Sequence, residues 1–223
     1  MLATALITLS ATIAVRTALA ELTEQPGPAV IDPTWDPRPT TLAELVDASD
    51  AVVIATVAEV RRGDPIVGEH TEVGNLRQSL PADPLGGPSD AELLASASDE
   101  QLVAIGALPT QRIDLDVGET VVGDLSGRFT LFKLGGSSVG VGGDPAYLPG
   151  ERYLLFLKRR LNDERTAPNA DATWLPAAPD GRLEALASGR VAESLDGGLA
   201  DQLDGDSLAG LVNRVEASAG DGS

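Results

Sequence analysis

The sequence predicts a mainly β protein: a small OB-like barrel or sandwich with short flanking helices. Three observations predict it. Short apolar or alternating runs recur between Gly and Pro turns. Helical spacing of apolar residues frames them, at 41–48 and 207–220. A hydrophobic share of 43% is enough to pack a core without help from disulfides.

The chain opens on an uncharged apolar run, 2–15, followed by Arg16 and by Ala18-Leu19-Ala20. An apolar stretch ending in an A-x-A pattern reads as a secretory signal over 1–20, cleaved after Ala20. It is shorter than the about 20 apolar residues that span a bilayer. No Lys or Arg lies between Met1 and the run. An uncleaved membrane anchor and a buried N-terminal helix therefore stand as alternatives. Residues 21–40 hold Pro26, Pro28, Pro33, Pro37 and Pro39 and read as an extended linker, because proline fixes φ and lacks an N–H. Trp35 in this linker is placed to tuck against the body.

A single barrel domain is expected over 41–217, with a short tail at 218–223. Thr41 with Glu44 reads as a capping box, and Leu42, Leu45 and Val46 share one face of the helix it starts. Ser49-Asp50 ends that helix. The run Ala51–Arg61, rich in Val and Ile, reads as a strand largely buried on both faces. Residues 63–108 then read as an acidic insert, with eight acids against one Arg, Arg77. A structureless loop of that length is uncommon in a compact domain. Ser89 with Glu92 and Ser98 with Gln101 predict two local helices within it, and 64–88 is expected to be mobile.

Ile113, Leu115 and Val117 alternate with polar residues over 110–117, a half-buried strand that Thr120–Val122 extends past Gly118. Gly123-Asp124 turns, and Arg128–Leu134 is the next strand. Residues 135–145 form a Gly-rich loop, and Pro149-Gly150 a turn. Tyr153–Lys158 is an apolar strand at the expected centre of the core. Short strands follow at 172–176, 182–185 and 190–192. Ser207 caps a last helix whose apolar face is Leu208, Leu211, Val212 and Val215, ended by Gly220.

Composition excludes several functions. Without Cys there is no disulfide scaffold, Cys-ligated zinc, iron–sulfur cluster, thiol catalysis or lipoprotein anchor. One His, His70, excludes a multi-His metal site. A formal charge of −18 disfavours nucleic acid as a partner, because a phosphate backbone rewards clustered cations.

Several blocks resemble a group of uncharacterised secreted bacterial proteins, many of them actinobacterial. They are a short helix stepping through Ser49-Asp50-Ala51-Val52-Val53 into the first strand, a V-x-G turn at Val121-Val122-Gly123, the pair Gly135-Gly136, the block Pro149–Leu157 (PGERYLLFL), and Gly181–Val191. The resemblance covers roughly 40–215 without most of the insert, and the PGERYLLFL block is its most specific part. It implies an exported protein. The layout is also similar to the OB-type barrel of tissue-inhibitor and netrin-like domains. Those inhibitors act through an N-terminal Cys, which this chain lacks, so only their shape carries over.

Four constellations carry potential chemistry. Gly136-Ser137-Ser138-Val139-Gly140 matches G-x-S-x-G, the nucleophile elbow, which needs a strand before the Ser and a helix after it. Gly142, Gly143 and Pro145 follow instead, and His70 lies upstream where hydrolases of this class place it downstream. A turn between strands is the simpler reading. Asp196, Asp201, Asp204 and Asp206 offer oxygen ligands for calcium, but without EF-hand spacing they read as a solvated acidic turn. Arg152, Lys158, Arg159, Arg160 and Arg165 form a basic cluster suited to an anionic polymer or lipid headgroup, or to pairing with the abundant acids. Among the aromatic residues, Tyr147 and Trp174 are the candidate exposed stacking platforms.

No catalytic, cofactor-binding or metal-binding residue is assigned, and no cofactor is expected. The expected function is a non-catalytic extracytoplasmic binding module. Its partner would be another extracytoplasmic protein or an envelope component, with membrane contact only through an uncleaved N-terminal segment. The alternatives are a serine hydrolase using Ser138, and an inhibitor or structural partner of an envelope protein.

Overall fold

The structure is a computed structural model that describes residues 30–31, 39–78, 87–138, 140–141, 146–159, 174–178, 181–193 and 198–220. The expected leader, Trp35, Arg160, Arg165, Asp196, and the part of the expected mobile stretch at 79–86 lie outside these residues. The strands are β1 (Val30–Ile31), β2 (Ala51–Arg62), β3 (Thr110–Val122), β4 (Arg128–Leu134), β5 (Gly140–Val141), β6 (Arg152–Arg159), β7 (Trp174–Pro176), β8 (Arg182–Ala185) and β9 (Val191–Glu193). The helices are α1 (Leu42–Asp47), α2 (Val73–Gln78), α3 (Asp90–Ser96), α4 (Asp99–Ala104), α5 (Leu199–Leu203) and α6 (Leu208–Gly220).

The main sheet runs β2-β3-β4-β7-β6-β8-β9, and β2 also pairs with β6. That extra pairing closes β2, β3, β4, β7 and β6 into a five-stranded barrel, with β8 and β9 added outside the closure. Taken in chain order, the barrel strands are arranged first, second, third, fifth, fourth, and β4–β7 is their one parallel contact, through Leu131 and Trp174. This is the OB-type arrangement that the sequence predicts. Closure needs curvature. The β2–β3 ladder shifts register between Val52 and Val53, between Ile54 and Ala55, and between Val57 and Glu59. Such bulges bend a strand and increase its twist, which curls the sheet.

Strands β2 over Ala51–Val57 and β6 over Tyr153–Leu157 are buried on both faces, as their apolar runs require, whereas the expected two-faced burial does not extend over Ala58–Arg61, where Ala58, Glu59 and Arg61 are exposed. Successive side chains point to opposite faces. Val53, Ala55, Val57, Tyr153, Leu155 and Leu157 therefore fill the barrel with Ile113, Leu115, Phe129, Leu131, Tyr147 and Trp174. Val52, Ile54, Leu154 and Phe156 point outward into a second core, covered by Leu45 and Val46 of α1, Leu199 and Leu203 of α5, and Leu211, Val212 and Val215 of α6.

Local chemistry sets the element boundaries. Thr41 Oγ1 accepts from the Glu44 N–H at 3.2 Å, starting α1. The return half of the expected box is displaced by one residue: the Glu44 carboxylate takes the N–H and hydroxyl of Thr40, at 2.7 and 2.9 Å. Ser49 ends α1 by donating its hydroxyl to Leu45 O at 2.7 Å. The V-x-G turn has a steric reason. Gly123 has φ +85°, and a Cβ there would stand 2.8 Å from Asp50 O. Only glycine takes that conformation so close to another backbone.

The insert is structured where it is described. Ser89/Glu92 and Ser98/Gln101 both form full capping boxes, on α3 and α4. Helix α2, without a cap signal, is an addition to the expectation; its Leu76 is buried with Leu93, Ala97, Leu102, Ile105 and Ala107 in a third core of the insert's own. Three further corrections concern the later chain. The 190–192 strand lies at 191–193; of the 172–176 strand, 174–176 is β7 and 172–173 lie outside the described residues. Helix α5 occupies part of the expected acidic turn, because Leu199 and Leu203, spaced four apart, bury one face against the outer core. Tyr147 and Trp174 are no exposed platforms: they are 3% and 5% exposed, drawn into the barrel by their apolar surface.

Candidate functional site

At the end of the barrel where β2 finishes and β3 begins, the insert meets the Gly-rich loop after β4. Here Val60, Arg61, Arg62, Thr110, Gln111, Gly136, Ser137 and Asp99 line a cleft of about 140 Å3. Asp99 is the first residue of α4, a position where a carboxylate interacts favourably with the helix dipole. It is 7% exposed. Its Oδ2 accepts from Ser137 Oγ at 3.2 Å, from the Ser138 N–H at 3.3 Å and from Ser138 Oγ at 3.4 Å. Its Oδ1 faces Arg62 Nε at 3.9 Å. A buried carboxylate is tolerated only with partners of this kind. Gly136 is what lets the loop close around it: a Cβ there would fall 1.9 Å from Asp99 Oδ2.

This geometry bears on the G-x-S-x-G stretch. A strand precedes Ser138, as the elbow requires, but the nearby pair Gly140–Val141 is extended, paired in parallel with Val30–Ile31. The Ser138 backbone N–H, which an oxyanion hole would draw on from its neighbourhood, points at a carboxylate. The Ser138 hydroxyl also reaches Glu100 and holds the carboxyl of Glu100 below its usual range. One hydroxyl proton serves one acceptor at a time, so two acids compete for it and no imidazole does. His70 lines a different groove, with Ile66, Val67, Gly68, Glu69, Gly106 and Leu108.

The other candidates disperse. Among the described residues no three acids or His gather as a metal site. Asp206 instead forms an ion pair with Arg214 on α6. Of the basic cluster, Arg152, Lys158 and Arg159 are exposed; the Arg159 guanidinium lies 5.2 Å from the centre of the Trp174 ring. At the opposite end of β6, Arg182 is 3% exposed and packs its guanidinium 4.1 Å from the Tyr147 ring and 5.1 Å from the Tyr153 ring. The Tyr153 hydroxyl donates to Glu151, and burial followed by that hydrogen bond pushes its pKa upward. This cluster cements the barrel end; it leaves the aromatic faces covered.

Asp99, Arg62 and Gln111 are not among the residues the sequence singles out. The capping box at Ser98 fixes Asp99 at the start of a helix, but only the tertiary fold brings the 136–138 loop over it. No protein-family model, curated protein or solved structure matches this chain.

Proposed function

We propose that this chain is an exported, non-catalytic binding module that presents the cleft between its barrel and its insert to an envelope component or another extracytoplasmic protein. The observation that carries the reading is the commitment of Ser138. Its hydroxyl and N–H are engaged by Asp99, so the strongest sequence signal for catalysis is explained as a latch between loop and insert. A polar cleft is left beside that latch, the arrangement expected of a recognition site with a few placed polar groups. The expected A-x-A leader and the resemblance of the PGERYLLFL block to secreted bacterial proteins support export.

The test has two arms. N-terminal sequencing of the exported protein is expected to begin at Glu21, and a chain retaining Met1 would remove the cleaved leader. A photo-crosslinking residue at Arg61, on the cleft, is expected to give a discrete adduct in producing cells. The same residue at exposed Glu216 on α6 is expected to give none. Labelling of Ser138 by a serine-reactive probe, with esterase activity lost in Ser138→Ala, would overturn the reading in favour of a hydrolase.

A further inference from the structure

Gln111 sits inside the wall of the barrel mouth. It is 8% exposed and lines the cleft. On the β2–β3 ladder it stands directly opposite Arg62, so the two side chains share one face of the sheet at the cleft. Its neighbours are cationic although the chain as a whole is strongly acidic. Arg61 and Arg62 line the same cleft, Arg61 already paired with Asp114 at 2.6 Å, and buried Lys133 is the residue directly opposite Gln111 on β4. Arg62 keeps 38% of its side chain exposed. Its nearest acceptors, Asp99 Oδ1 at 3.9 Å and Ala95 O at 3.4 Å, are long for charge-assisted bonds. The acid in the cleft, Asp99, is already turned to Ser137 and Ser138.

We propose that this cleft is a binding site for a carboxylate carried next to an amide, the chemistry shared by a peptide C-terminus and a free N-acyl amino acid. The proposal rests on the binding-module reading and names its ligand class. A guanidinium presents a planar fork that matches a carboxylate. A carboxamide offers both a donor and an acceptor, which complement the N–H and C=O of an adjoining amide. The volume fits: about 140 Å3 holds roughly four or five waters at about 30 Å3 each, room for a terminal carboxylate and the few atoms behind it.

The experiment titrates the full chain, by calorimetry or amide NMR, with N-acetyl-L-alanine, with an acetylated pentapeptide ending in alanine, and with the C-terminal amide of each. Both acids are expected to bind at the cleft, and each amide about tenfold or more weaker, the scale of one lost charge-assisted bond. Tighter binding of the pentapeptide than of N-acetyl-L-alanine would identify a chain end as the source; equal binding would identify the free acid. Arg62→Gln is expected to weaken the acids about tenfold and to erase the preference over the amides. Gln111→Leu is expected to weaken acids and amides alike. Acids and amides binding equally to the unaltered protein, or Arg62→Gln leaving the preference intact, would overturn the proposal. An adduct from Arg61 together with that result would leave the binding module standing without this ligand.

Discussion

The carboxylate of Asp50 accepts a hydrogen bond from the backbone N–H of Arg159 at 2.7 Å, across 109 positions of sequence. The Asp50 N–H donates to Leu157 O, also at 2.7 Å. One residue thus extends the β2–β6 ladder past its end and ties the chain start of the barrel to its closing strand. Asp50→Ala is expected to cost about 1–2 kcal/mol, the low end for a hydrogen bond to a charged group because the bond is exposed, read as a lower urea midpoint. Asp50→Asn, which keeps an acceptor oxygen, is expected to recover part of it. An unchanged midpoint in Asp50→Ala would show that this clasp does not hold the barrel.

Gly136→Ala is expected to destabilise the protein by about 1–3 kcal/mol, since the new methyl must displace the loop or Asp99 from a packed contact. Asp99→Ala alone is expected to cost a comparable amount, because it removes the acceptor that ties Ser137 and Ser138 to α4 and the carboxylate at that helix's first turn. The double variant is expected to cost less than the sum, since Asp99→Ala removes the carboxylate that the methyl would strike. A double-mutant cycle in urea reads this directly, and simple additivity would count against the latch.

Phe156→Ala is expected to cost about 3–5 kcal/mol, the value for a fully buried aromatic ring. Leu148→Ala, at a side chain 53% exposed, is expected to stay within about 0.5 kcal/mol. Thermal unfolding of the two variants compares them, and similar losses would argue against the outer core as described.

Acid should loosen the helices first at their N-termini. Hydrogen bonds from Thr40 lower the pKa of Glu44, and those from Ser89 lower that of Glu92, each from an ordinary value of 4.5. A depressed carboxylate contributes stability that is fully present above its unfolded value and is lost as pH falls through its folded one. Stability is therefore expected to decline as pH drops below about 4.5, and Glu92→Gln to make that decline shallower. Urea midpoints between about pH 7 and pH 2.5 test this; identical slopes would refute it.

How much is legible in the sequence follows from which signals are local. The two-faced burial of Ala51–Val57 and Tyr153–Leu157 is written in apolar runs too continuous for an exposed face, and with the turns between strands it suffices for an OB-like barrel. The caps at Thr41, Ser89 and Ser98 depend on three-residue spacing and are equally local. Tyr147 and Trp174 read as exposed because their sequence neighbours are polar or loop-forming, while the groups that bury them come from other strands. The cleft is hidden for the same reason. Gln111 shares the inward face of Ile113 and Leu115, but a polar residue there gives no core signal, and only closure of the barrel against the insert makes the mouth around it a cleft.

The separate core of the insert bears on how quickly the barrel can assemble. Asp64 O and Thr110 Oγ1, 46 positions apart, are bonded at 2.8 Å, and Ile66 bridges Leu108. If helices α2, α3 and α4 condense on their own cluster, they bring the ends of β2 and β3 together before those strands pair. Most of the loop-closure entropy of the hairpin is then met by local contacts. The slow step left is the return of β6 to β2, whose partners lie about a hundred positions apart, the kind of non-local pairing that limits folding rates. An insertion that lengthens the barrel's sequence thereby shortens its kinetic path.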